Sequence, residues 1–110
     1  MKNFMDDQDF LLSTKTGEEL FHNFAEGMPI VDYHCHISPK EIWDDKRFEN
    51  ITEVWLGGDH YKWRLMRANG VDERFITGDA PAREKFQKWA ETLGRCVRNP
   101  VFEWSHLELK

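Results

Sequence analysis

The stretch Ile30-Val31-Asp32-Tyr33-His34-Cys35-His36-Ile37 alternates in polarity and runs directly into Ser38-Pro39, a helix start. Successive side chains of a strand point to opposite faces, so residues two apart share a face. The spacing predicts one β-strand over 30–37, with Val31, Tyr33, Cys35 and Ile37 on an apolar face. The other face carries Ile30, Asp32, His34 and His36, the histidines at its far end. A strand that feeds a helix at once is the opening half of a βα unit, which points to an α/β architecture. In barrels of such units the strands are covered by helices, and chemistry gathers at their C-terminal ends.

Two imidazoles at i, i+2 on one strand face can converge on one divalent metal, with nitrogen ligands at ~2.0–2.1 Å. Asp32, one step deeper on that face, is placed to orient an imidazole or a bound water. Cys35 points the other way, which removes a Cys/His zinc-finger reading. The alternative is that His34 and His36 are polar residues at a strand exit. A catalytic zinc site usually takes three protein ligands, so the pair needs His60, His106, an acid, or groups from outside this sequence.

Beyond that strand the chain reads as mainly α-helical. Thr16-Gly17-Glu18-Glu19 fits a capping box, followed by Leu20, Phe21, Phe24 and Ala25 at helical spacing and closed by Gly27. His22 falls on the polar face of that helix and is expected in solvent. Ser38-Pro39-Lys40-Glu41 is a second box, with Pro at the first helical position. Asn50-Ile51-Thr52-Glu53 opens a short helix with Ile51, Val54 and Trp55 on one side, broken by Gly57-Gly58. Asp59 caps a helix to about Asn69, closed by Gly70. Another, from about Ala80 to Leu93, carries Phe86, Trp89, Ala90 and Leu93 at i, i+3, i+4, i+7, a stripe that reads as core. The segment from Val101 to Lys110 reads as helix or strand. No repeat or linker marks a boundary, so residues 1–110 read as one domain.

Between Gly57 and Gly70 lies a second unusual cluster. A Gly pair before a helix N-terminus can present backbone N–H groups to an anion. Histidine titrates near neutrality, which suits His60 to carry protons, and Tyr61 could bind a hydroxyl or move a proton. Lys62, Arg64 and Arg67 could attract a carboxylate. The same residues also read as an ordinary helix break, cap and packing pairs.

Composition narrows the class of function. The 110 residues carry a net charge of −5, against the basic patch that nucleic acid or an anionic membrane surface requires. No run approaches the ~18 apolar residues of a membrane span. The start MKNFMDDQDF has acids where a signal peptide has its apolar core. Cys35 and Cys96 are too few for a disulfide framework, so the expected setting is cytoplasmic. The apolar Leu107 and Leu109, with neither Gly nor Pro before Lys110, predict a segment of a longer protein.

The stretches MPIVDYHCHISPKEI, ENITEVWLGGDHYKWRLMRANGVDERFITGD and NPVFEWSHLELK together resemble the N-terminal part of uronate isomerases (glucuronate isomerases) of the amidohydrolase superfamily. The resemblance runs nearly end to end, and WLGGDHYKWRLMRANGVDE is its most specific part. It implies a distorted (β/α)8 barrel, of which this segment supplies the first strand and a helical elaboration. The implied reaction interconverts D-glucuronate with D-fructuronate and D-galacturonate with D-tagaturonate through an enediol-like intermediate. By this resemblance His34 and His36 are metal ligands, with zinc the expected ion, and His60 and Tyr61 contact substrate or transfer protons. The remaining ligands and substrate-binding arginines come from later strands, so the 110 residues alone are expected to be inactive. Phe102, Glu103 and Ser105 depart from the Tyr, His and Thr of the family pattern, which bears on substrate preference. The expected partner is a small-molecule uronate, and self-association into a homo-oligomer is open. Two alternatives stand beside this reading: a metal-dependent hydrolase of the same superfamily, and a non-catalytic helical binding module.

Overall fold

The computed structural model describes Asp6 and residues 8–110; most of the acidic start read above lies outside them. Two compact units divide the chain, Met1–His34 and Cys35–Lys110.

In the first unit, helix α1 (Lys15–Leu20) continues into a turn of π-helix over Phe21–Ala25. The cap is Thr14, not Thr16. Thr14 has the extended backbone a cap needs, and its hydroxyl accepts from the Gly17 N–H at 3.0 Å, whereas Thr16 sits inside the first turn. The wide turn is marked by the Glu26 N–H bonding to the Phe21 carbonyl, five residues back, at 2.8 Å. His22 is exposed, as expected, and also held: Nε2 lies 3.0 Å from Asp9 Oδ1 and Nδ1 3.2 Å from Glu26 Oε2. The hydrogen bonds to Asp9 and then Glu26 raise its pKa.

The expected strand does not form. Residues 29–35 have no regular secondary structure, 36–37 form a bend, and no strand occurs among the described residues. A strand exists through its ladder, and the described residues offer none to pair with. Ile30, Val31 and Tyr33 are 92%, 81% and 94% exposed. The described chain is therefore helical, as expected outside 30–37, and lacks the one expected strand.

The second unit is a cluster of short helices: α2 (Pro39–Trp43), α3 (Ile51–Leu56), α4 (His60–Ala68), α5 (Ala82–Leu93) and α6 (Pro100–Leu109), with a 3-10 turn at Glu73–Phe75. Helices α3, α4 and α5 pack on one another. Their shared core is Trp89, Met66, Ile76, Leu56 and Leu93, with Trp55, Trp63, Leu65, Val71, Phe86, Val101 and Phe102 against it. The stripe on α5 is core at Phe86, Trp89 and Leu93, while Ala90 is exposed. On α3 the buried pair is Thr52 and Leu56 rather than Ile51 and Val54. Thr52 turns inward because its hydroxyl donates to the Ala82 carbonyl at 2.9 Å, tying α3 to the start of α5. Likewise Trp63 Nε1 donates to the Leu56 carbonyl at 2.7 Å, tying α4 to the end of α3. The last segment is helix, started by the Asn99 side chain, which accepts from the Val101 N–H, and by Pro100 at its first turn. No helix among the described residues is long and apolar enough to cross a membrane.

Helix α4 ends as its sequence predicts. The Gly70 N–H bonds to the Arg67 carbonyl at 2.9 Å and the Val71 N–H to the Met66 carbonyl at 3.0 Å, the paired bonds of a Schellman motif. Gly70 has φ +75°, and a Cβ there would meet nothing within 4 Å. Its cost would be backbone strain alone. Gly70→Ala should therefore destabilise the protein by about 1 kcal/mol, read from urea unfolding.

Beyond that turn, Arg67 donates to both Glu73 oxygens at 2.8 and 2.5 Å, and the Thr77 hydroxyl donates to Glu73 Oε1 at 2.5 Å. The Arg67 bond, then the Thr77 bond, hold the Glu73 carboxyl well below the usual carboxylate range, at about 2. A carboxyl depressed on folding stabilises fully above its unfolded value, about 4.5, and that contribution fades as pH falls toward 2. Wild type should exceed Glu73→Gln in thermal stability at pH 6, and the gap should close between pH 4.5 and 2.

Candidate functional site

The cluster that can carry chemistry forms where Gly57-Gly58 ends α3 and Asp59 starts α4. The Asp59 side chain accepts from the Tyr61 N–H at 3.0 Å and the Lys62 N–H at 3.5 Å, closing the first turn. That cap places His60 and Tyr61 at the first two helical positions, side by side at the N-terminus. The His36 ring lies over both. Its centroid is 5.4 Å from that of His60 and 5.0 Å from that of Tyr61, at interplanar angles of 24° and 26°. His60 and Tyr61 are themselves 4.6 Å apart. Three of the four predicted site residues thus share one aromatic stack.

His34, the fourth, closes the first unit and is exposed. Its backbone N–H donates to Asp32 Oδ1 at 3.2 Å, so Asp32 serves the main chain rather than an imidazole. The Cys35 thiol donates to the Ile37 carbonyl at 3.4 Å. As donors, two exposed imidazoles fit a divalent transition metal in kind. Among the described residues no group of three or more His, Cys, Asp or Glu is arranged to hold a metal ion.

The basic residues divide differently from expectation. Lys62 is buried: its ammonium donates to Asp59 Oδ2 at 2.7 Å and sits 5.2 Å from the Trp55 ring centroid. Arg67 is committed to Glu73. Arg64 stays exposed at the stack, its guanidinium 4.6 Å from the Tyr61 centroid. Of the three, it is the one positioned to meet an anion beside Tyr61. Of the Gly pair read as presenting N–H groups to an anion, the Gly57 N–H bonds to the Glu53 carbonyl at 3.0 Å. The His106 ring, on α6, bonds to the Phe102 carbonyl at 2.6 Å and lies tilted against the Phe102 ring, centroids 4.3 Å apart.

Asp59 is the residue that sequence reasoning undervalued, since it read only as a cap. Its Oδ1 also lies 3.5 Å from His36 Nδ1. Burial pushes the Asp59 carboxyl up, but the Lys62 ammonium and the two backbone N–H groups outweigh it and the net shift is downward. The Asp59/Lys62 spacing of three, neighbours on a helical turn, was the available signal.

The glucuronate isomerase family matches residues 1–110. The uronate isomerase of Lachnospira eligens is 69% identical over the whole chain, which covers 23% of that protein. Those of Lachnoclostridium phytofermentans and Bacillus subtilis are 63% and 58% identical over the same 110 residues, again 23% of each. The chain thus spans about a quarter of the length of these curated relatives. It belongs to the glucuronate isomerase family.

Proposed function

We propose that this chain is the N-terminal segment of an enzyme that interconverts aldose and ketose hexuronates, D-glucuronate with D-fructuronate and D-galacturonate with D-tagaturonate. Family membership supports the reaction class, and the observation that carries the local reading is the stack of His36, His60 and Tyr61 at the start of α4. The isomerisation takes a proton from C2 of the open-chain aldose and returns one to C1. It needs a base, an acid and stabilisation of the oxygen that becomes anionic between the two transfers. His60 and Tyr61 are the groups assigned to protons and substrate hydroxyls, since both stand exposed and adjacent on one helix turn. Arg64, beside Tyr61, supplies a positive charge for the uronate carboxylate.

His34 and His36 would hold a divalent metal, with zinc the first candidate. Such an ion supplies Lewis-acid stabilisation of the developing oxyanion. The remaining ligands are assigned to the rest of a distorted (β/α)8 barrel, in which residues 30–37 would gain backbone partners. A cytoplasmic setting completes the reading. Family membership does not favour the hydrolase or the binding-module alternative.

Two measurements on the full-length protein test it. In calorimetric titration with zinc, the His34→Ala, His36→Ala double variant should lose most of the wild-type affinity; equal affinity would remove the metal assignment. His60→Asn and Tyr61→Phe should each lower turnover of D-glucuronate by about 10²-fold or more, the scale of lost acid–base catalysis. Melting temperatures should hardly move, since both side chains are exposed. Wild-type turnover in both variants would return the stack to a packing role.

A further inference from the structure

The carboxylate of Asp59 is fixed on every side. Lys62 donates to Oδ2 at 2.7 Å, and the Tyr61 N–H donates to Oδ1 at 3.0 Å. The Asp59 and Lys62 side chains are only 17% and 10% exposed. The Lys62 ammonium is further confined by the Trp55 and Trp89 rings, 5.2 and 6.0 Å away. The acid therefore cannot swing away without stranding a buried ammonium and opening the first turn of α4. Opposite it, the stack on His60 and Tyr61 sets the plane of the His36 ring, and Nδ1 is the nitrogen turned to Oδ1, at 3.5 Å.

We propose that Asp59 is a positioning residue for His36: its Oδ1 takes the Nδ1–H of the imidazole, which makes Nε2 the nitrogen that offers a lone pair. An ionised carboxylate only accepts hydrogen bonds, and a neutral imidazole carries one N–H. The nitrogen facing the carboxylate is therefore the donor, and the other is the acceptor. At 3.5 Å the approach is longer than a closed N–H···O bond, and contacts of this kind tighten when a site fills. A carboxylate behind a histidine is the arrangement that fixes tautomer and ring orientation in metal sites. Lys62 acts one step further back, holding Oδ2 so that Oδ1 stays on the ring. The tautomer assignment rests on the approach of Nδ1 to Asp59 Oδ1 and on no metal; the consequence for zinc affinity rests on the reading of His36 as a ligand.

The test uses the full-length protein labelled with 15N-histidine, metal-free, at a pH where imidazoles are neutral. Two-bond 15N–1H correlation should show His36 as the Nδ1–H tautomer in wild type. Asp59→Ser keeps a good helix cap but is too short to reach the ring. It should shift His36 toward Nε2–H and weaken zinc binding by about 10- to 100-fold. Lys62→Met should move both readouts in the same direction. A purely structural role for Asp59 would change the melting temperature and leave the tautomer alone. Nε2–H in wild-type His36, or a folded Asp59→Ser with wild-type tautomer and zinc affinity, overturns the proposal. The wild-type spectrum decides even if Asp59→Ser fails to fold. Zinc binding that survives loss of both His34 and His36 overturns the metal reading instead, and leaves the tautomer result to stand by itself.

Discussion

The Asp59–Lys62 pair is the interaction on which the second unit turns. An ammonium largely withdrawn from water is tolerated only when its partner is close and its remaining donors are occupied. Here the partner is also the cap of α4 and the neighbour of His36. One carboxylate thus ties together the burial of a charge, the start of a helix and the placement of an imidazole. Removing one partner leaves the other charge with poor compensation away from water. The pair has weaker value as a source of net stability than as a constraint on where the aromatic stack can sit.

The apolar side of the same unit is organised by Trp89. Its ring is fully buried, with Met66 and Ile76 beside it, and the packing of α3, α4 and α5 follows from covering it. Aromatic rings of this size bring large apolar area with few rotatable bonds. Short helices such as α3, six residues long, have little stability of their own. They persist because tertiary bonds hold their ends, as Thr52 does to α5 and Trp63 to the end of α3.

Outside this core the chain behaves differently. Residues 30–33 combine strong strand character with near-complete exposure of Ile30, Val31 and Tyr33. Helices close their hydrogen bonds within themselves, whereas a strand must borrow them from a neighbour. That difference separates the parts of the sequence that report their own structure from the part that does not.

Local chemistry therefore made much of this protein legible in one dimension. Asn50 and Asp59 announce helix starts because a short polar side chain satisfies the orphan N–H groups of a first turn. Gly70 announces a stop because the left-handed residue there has no Cβ to strain. The pairing of His60 with Tyr61 was visible as adjacency, and His34 with His36 as a spacing of two. What only the tertiary structure decided is which partners are met across sequence distance. It set His36 against Asp59, His60 and Tyr61, withdrew Lys62 from any carboxylate-binding role, gave Arg67 to Glu73, and chose Thr52 over Ile51 as the inward residue of α3. It also left 30–37 without a ladder, because propensity can favour an extended backbone but cannot supply the second strand that makes it a sheet.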